Sequence, residues 1–199
     1  MVDVSVKDGI VIDSTKNKIE ITQLGTVNVT ADAMMFNKTG NIKTSNIASL
    51  YGRMTDGFTM EAVITTSNDL TTMAHYASNL HAGGFGLYTH KGLLHFVVHN
   101  GTEYLSVTHS VESNTTYHIV GLFDGENLVL YINGEKVNSV AFSGAMKLPT
   151  VAGAEYLCFG GDANADGSGE NMSQCTVYRV SIYSAVLSDS EIKALSVID

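Results

Sequence analysis

An all-β chain, folded as a two-sheet antiparallel β-sandwich (jelly roll) with one short C-terminal helix, is predicted by three observations. Apolar and polar residues alternate with a period of two through most of the chain, Gly, Asn, Asp and Ser separate the alternating runs, and a helix-start pattern stands near the end. Alternation has this meaning because successive strand side chains point to opposite faces of a sheet, so one face is buried while the other meets water.

The elements follow in chain order. "DVSVKDGIVID" (3–13), "NKIEIT" (17–22) and "TVNVT" (26–30) place β-branched residues at every second position and read as strands. Asn37 to Thr55 is rich in Ser and Asn with scattered apolar residues, and reads as irregular structure crossing between the sheets. "FTMEAVITT" (58–66), "GFGLYTH" (84–90), "LLHFVVH" (93–99), "EYLSVTH" (103–109), "YHIVGLF" (117–123) and "NLVLYINGEKVNSVAF" (127–142) continue the meander. Their connections carry turn residues: "HKG" at 90–92, "HNG" at 99–101, "DGEN" at 124–127 and Asn133-Gly134, so consecutive runs pair antiparallel. "EYLCFGG" (155–161) and "CTVYRVSIYS" (175–184) complete the strands. Ser188 and Glu191 form an S-x-x-E capping box ahead of Ile192, Leu195 and Ile198, which starts the only helix expected.

More than ten strands in 199 residues, without an internal repeat, fit one domain spanning 1–199. Hydrophobic residues make up 44% and charged residues 16%, with a single proline, so the chain has the composition to bury a core. A net charge of -9 opposes a phosphate backbone, and nucleic acid is not an expected partner. No apolar run approaches the roughly 20 residues that cross a bilayer, so no membrane partner is expected. Met1 opens directly onto polar alternation rather than a signal peptide, so a secreted protein would be represented here by a mature or excised piece. Cys158 and Cys175 flank one loop, and either a cross-strand bridge or two buried thiols suits their positions.

Three phrases, in order, sharpen the fold: "DGFTMEAVI" (56–64), "SNTTYHIVGLFDGENLVLYINGEKV" (113–137) and "VYRVSIYSAVLSDSEIKAL" (177–195). Together they resemble the concanavalin A-like lectin/glucanase superfamily, specifically its laminin G-like jelly-roll modules, over residues 56–195. The chain departs from that pattern in having Val63 and Tyr117 where such modules often carry Trp, and in lacking Trp altogether. The resemblance implies an extracellular or cell-surface module, appended to a larger multidomain chain, that binds glycan or a surface protein and often contains calcium.

Two constellations are candidate sites. "DANADGSGE" (162–170) puts oxygen-bearing side chains at alternate positions around glycines that permit a sharp turn. Calcium takes six to eight oxygens, and Asp162, Asn164, Asp166, Ser168 through its carbonyl, and Glu170 are the expected ligands of a structural ion. A helix-loop-helix hand is excluded, because strands flank the loop and the twelfth position is Ser173 rather than Glu. The alternative is a solvated Asp/Gly turn.

The second constellation lies in the meander from 84 to 109. If Leu94, Phe96 and Val98 face the core, His95, Val97 and His99 face the other way, together with Tyr88, His90 and Tyr104 on neighbouring strands. Tyr and His offer a flat apolar ring with a hydrogen-bonding edge, which suits a sugar or a peptide side chain. Tyr88, His95, His99, Asn100 and Tyr104 are therefore the expected ligand-binding residues. His95 and His99 do not form a local zinc pair, since four residues of strand span roughly 13 Å.

Catalysis finds no motif. The superfamily's retaining glycosidases carry E-x-D-x-E on one strand, setting carboxylates roughly 5 Å apart, and no such triplet occurs here. G-x-S-x-G, G-x-x-x-x-G-K-[ST] and H-E-x-x-H are also absent, and Glu61 and Asp124 read as isolated turn or edge carboxylates. The sequence thus points to a non-catalytic carbohydrate-binding module, with a structural module packed on a catalytic domain as the alternative and a glycoside hydrolase behind both.

Overall fold

The computed structural model describes residues 1–197. Its strands are β1 (Val2–Lys7), β2 (Ile10–Asp13), β3 (Ile21–Gly25), β4 (Asn28–Val29), β5 (Met34–Asn37), β6 (Gly40–Thr44), β7 (Phe58–Thr65), β8 (Ala74–Ser78), β9 (Phe85–His90), β10 (Leu93–His99), β11 (Tyr104–Ser110), β12 (Thr116–Phe123), β13 (Asn127–Ile132), β14 (Glu135–Ala141), β15 (Cys158–Phe159) and β16 (Gln174–Tyr183). They form two antiparallel sheets. The nine-stranded sheet runs β14-β13-β12-β7-β16-β1-β2, with β5 also on β16 and β4 on β5, and the seven-stranded sheet runs β11-β10-β9-β8-β15-β6-β3.

The turn chemistry accounts for the local order. Lys91 and Gly92 have φ of 51° and 79°, and Asn133 and Gly134 have 51° and 82°, the doubly left-handed backbone that matches strand twist in a two-residue hairpin. Between the sheets, Phe58 of β7 lies 4.9 Å from Phe85 and 5.9 Å from Phe96, ring centre to ring centre. Phe96 also needs Gly121 on β12, where an added Cβ would fall 2.3 Å from its ring. Leu94, Phe96 and Val98 are all buried in this core, so the phase expected for β10 is the observed one.

On the outside of the nine-stranded sheet lies the C-terminal helix, α2 (Asp189–Leu195), preceded in the chain by a single turn, α1 (Ala48–Tyr51). The capping box forms as expected: Glu191 N–H donates to Ser188 Oγ at 3.4 Å, and Ser188 N–H donates to Glu191 Oε2 at 2.8 Å. Ile192 packs on Val120, Leu122, Val129 and Tyr131. Burying that side chain contributes roughly 1.5–3 kcal/mol, enough to hold a helix too short to stand alone. Ile198, the third apolar residue expected on this helix, lies outside the described residues.

The structure differs from expectation in the 37–55 segment, adds a strand, and resolves the cysteine alternatives. The segment from 37 to 55 is not simply irregular: it contains β6 and α1. Only Ile42 is an aliphatic residue in Gly40–Thr44, so no alternation reveals that strand. β8 also escapes the pattern, because its register shifts between His75 and Ala77 and turns both Tyr76 and Ala77 into the core. Cys158 and Cys175 are free and buried, one in each sheet.

Candidate functional site

The outward face of the seven-stranded sheet carries a ladder of three rings. Tyr88 on β9 stands opposite His95 on β10 and opposite His75 on β8. Its ring lies 4.6 Å from His95 at an interplanar angle of 12°, and 5.3 Å from His75 at 36°. Both faces of the tyrosine are therefore occupied by imidazoles, and a ligand meets ring edges rather than a ring face. The ladder offers hydrogen-bonding edges and no open tyrosine face.

A polar chain anchors one end. His75 Nδ1 lies 2.9 Å from Ser78 Oγ, which donates to Asp162 Oδ1 at 2.8 Å. Asp162 Oδ1 also accepts the Leu80 and Ala163 amides. With Nδ1 as the donor, His75 Nε2 is left bare, buried and unpartnered. Burial lowers the His75 pKa against the opposing pull of Asp162, and burial likewise lowers His95. Burial, then the Asp162 charge, raises Tyr88. The ladder is thus neutral at pH 7, with uncharged imidazoles and a protonated phenol.

The remaining expected residues are placed differently. His99 and Tyr104 form a second pair at the strand ends, edge to face at 4.6 Å. Tyr104 Oη accepts the Gly83 amide at 3.1 Å and donates to the Gly83 carbonyl at 3.2 Å, clamping the 79–84 loop over this end. His99 Nδ1 accepts the Gly101 amide, and burial, followed by Lys147, lowers its pKa. Asn100 has a structural task instead of an open one. Its Oδ1 accepts the Thr102 and Glu103 amides, and its Nδ2 donates to the Ser143 carbonyl at 2.8 Å, so it ties the β10–β11 turn to the 143–148 segment.

The 162–170 loop folds back beside the same face, joined by an antiparallel bridge between Asp162 and Glu170. Its expected calcium ligands do not converge. Asp162 is buried and turned to Ser78 and Leu80, whereas Asp166, Ser168 and Glu170 are exposed. Asp166 Oδ1 accepts the Ser168 amide, and Asn164 Oδ1 accepts the Gly169 amide. The Ser168 carbonyl accepts Asn41 Nδ2 at 2.8 Å, and the neighbouring Gly167 carbonyl accepts the Lys43 ammonium. Side-chain donors from β6 thus occupy two loop carbonyls, the expected Ser168 ligand among them, and the dispersed arrangement does not fit calcium. No group of three or more His, Cys, Asp or Glu among the described residues is placed to hold a metal.

Glu61 corrects another expectation. It is no turn or edge group: it sits fully buried on β7, an interior strand of the nine-stranded sheet. His118 Nε2 lies 3.1 Å from its Oε1, which also receives Arg179, and Tyr183 Oη donates to its Oε2 at 2.9 Å. Burial pushes the carboxyl up, but the hydrogen bond from His118, the Arg179 charge and Tyr183 outweigh it and hold Glu61 below the usual carboxylate range. An ionised, fully partnered carboxylate is a poor proton donor. Asp124 matches its expectation as a turn residue, its Oδ1 accepting the Glu126 and Asn127 amides.

The architecture has known counterparts. The Laminin_G_3 family model, of the concanavalin A-like lectin/glucanases superfamily, matches residues 36–193, and the chain belongs to that family. The receptor-binding domain of botulinum neurotoxin C/D mosaic serotype is similar in fold, with a TM-score of 0.77 at 16% identity, covering 98% of this chain and 50% of that one. The binding domain of botulinum neurotoxin DC, solved in complex with rat synaptotagmin II, has a TM-score of 0.77 at 14% identity, covering 98% and 50%. A third is botulinum neurotoxin type C, whose cell entry depends on interaction with two ganglioside molecules, at 0.76 and 12% identity, covering 98% and 50%. The chain thus spans half the length of these solved chains. No curated protein matches it.

Proposed function

We propose that this laminin G-like chain is a non-catalytic, lectin-like module of a secreted or cell-surface multidomain protein, and that it binds glycan on the outward face of the seven-stranded sheet. The observation that carries the reading is the His75–Tyr88–His95 ladder: a neutral row in which half-buried Tyr88 and His95 present hydrogen-bonding edges, backed by buried His75 and its anchor at Asp162. A neutral face suits a polyol, since sugar hydroxyls donate to imidazole nitrogens and accept from a phenol without a charge having to be desolvated. The ganglioside and synaptotagmin partners of the neurotoxin domains agree with a binding role for this fold, although those chains are twice as long.

A non-catalytic role is supported by how the buried carboxylates are bonded. Glu61, Asp13 and Asp162 each accept at least three hydrogen bonds from the chain's own groups, and Glu61 is held ionised, which makes it a poor proton donor. An immobilised glycan panel, followed by NMR titration of the selected glycan, tests the reading. Tyr88→Ala and His95→Ala should each weaken binding at least tenfold without unfolding the chain. Binding unaffected by both substitutions, or no glycan bound from a broad panel, would overturn it.

One observation favours the second reading, a module that packs against another domain. A cleft of about 500 Å³ opens at the edge strands β2 and β3, lined by Ile10, Val11, Ile21 and Val27, and Ile10 is 64% exposed. Fusion to a neighbouring domain that shields Ile10 from solvent labelling would support packing there.

A further inference from the structure

A separate cleft of about 520 Å³ lies on the outward side of β1 and β16, where the Ser14–Asn17 turn and Arg53 meet them. Its sheet wall presents Asp3, Ser181 and Tyr183, and its exposed rim presents Lys16, Asn17 and Arg53. The carboxylates around it are already supplied with neutral donors. Asp13 accepts the amides of Asp3, Thr15 and Ile19 and the Thr15 hydroxyl, and Asp3 Oδ1 accepts the Ser181 hydroxyl at 2.8 Å.

Lys16 and Arg53 make no ion pair among the described residues. That is unexpected from composition alone, because the chain has 20 acidic residues for 11 Lys and Arg. Two cations thus stand on the rim of a cleft whose wall carries the Asp3 carboxylate, so both signs of charge meet there. Arg adds a fork of donors matched to an oxyanion.

We infer that this cleft is a second ligand site, for a saccharide bearing an anionic group, sulfate or carboxylate. The cations would take the oxyanion. Asp3 Oδ2 and Asn17 Oδ1, neither of which has a protein donor among the described residues, would accept sugar hydroxyls. Asp3 decides between a simple ion and a substituted sugar: a free anion is attracted by Lys16 and Arg53 but repelled by Asp3, whereas a polyol with one anionic group is held by both signs of charge. The site is independent of the sheet face proposed above, since Tyr88 and His95 lie on the other sheet.

Calorimetry with a sulfated disaccharide, a uronate disaccharide, a neutral disaccharide and inorganic sulfate tests the inference and separates the two anion sources. At least one of the two charged disaccharides should bind tenfold or more tighter than the neutral sugar and than inorganic sulfate, and more weakly as salt rises. The double variant Lys16→Ser, Arg53→Ser, both exposed positions, should lose that tenfold gain while melting as the parent does. Tyr88→Ala should leave it unchanged. Equal binding of the neutral sugar, binding of inorganic sulfate only, a double variant with full affinity, or loss of binding in Tyr88→Ala would each overturn the site.

Discussion

The two sheets carry polar clusters on their outward faces that differ in one respect: how charge is settled. On the nine-stranded sheet, Glu61 is ionised and fully buried, with His118, Arg179 and Tyr183 completing its hydrogen bonds. On the seven-stranded sheet, His75, Tyr88 and His95 are neutral and end in a buried imidazole nitrogen with no partner. Each cluster leaves buried nitrogens without a partner, His118 Nδ1 and Arg179 Nε on the first and His75 Nε2 on the second. They differ in that the first is wrapped around a buried charge, whereas the second is uncharged and keeps the half-buried Tyr88 and His95 within reach of a ligand. A polar cluster on a sheet face becomes a candidate site when it carries no charge to desolvate and keeps an edge near solvent.

The largest effect should come from breaking the charged cluster. Glu61→Ala leaves His118 and Arg179 without their acceptor, and should cost about 3 kcal/mol, the low end for a broken buried pair because the Arg179 side chain is 39% exposed and can rehydrate. Urea unfolding measures it, and a loss below about 0.5 kcal/mol, the range of an unremarkable surface change, would place the cluster among surface pairs. Tyr88→Ala on the other sheet should cost less stability than Glu61→Ala and more affinity.

Acid should then separate the faces. Unfolded histidine takes up a proton near pH 6.5, roughly, while His75 and His95 resist it in the fold. Their contribution is therefore complete above about pH 6.5 and is lost as pH falls through their lowered folded values. Glu61 is also depressed, but from about 4.3, so its contribution persists to lower pH and fails only below that. Hydrogen exchange between pH 7 and 5 should loosen β8–β10 first, and simultaneous loosening of β7 and β12 would contradict the separation.

Smaller effects refine the open face. Asn100→Ala removes three hydrogen bonds of the β10–β11 turn and should cost about 1–2 kcal/mol, with glycan affinity changed less than twofold. A large affinity loss at full stability would return Asn100 to the ligand. The smallest effect belongs to the 162–170 loop: calcium should leave the melting temperature unchanged, and a calcium-dependent rise abolished by Asp166→Ala would show that the loop rearranges around an ion.

Much of this was legible locally. The sandwich, the hairpins at Lys91-Gly92 and Asn133-Gly134, the inward Leu94, Phe96 and Val98 and the Ser188 capping box each depend on residues within a few positions of one another. Tyr88 and His95 were legible as neighbours for the same reason, since a short hairpin sets their register. His75 was hidden by the irregular register of β8, and Asn100 and the 162–170 loop showed the right residue types while their bonding partners were out of view.

By itself, then, the sequence determined most of the strands, β5, β6 and β8 excepted, which way most of their side chains turn and where the helix begins, because period-two alternation, turn dihedrals and caps are short-range. Only the tertiary structure decided that Glu61 meets residues 57 and 118 positions away, that Asp162 turns to Ser78 across 84, and that Lys16 and Arg53 share a cleft. Sheet pairing brings distant strands within hydrogen-bond reach, and whether a carboxylate there is ionised, buried or free depends on neighbours that no local pattern names.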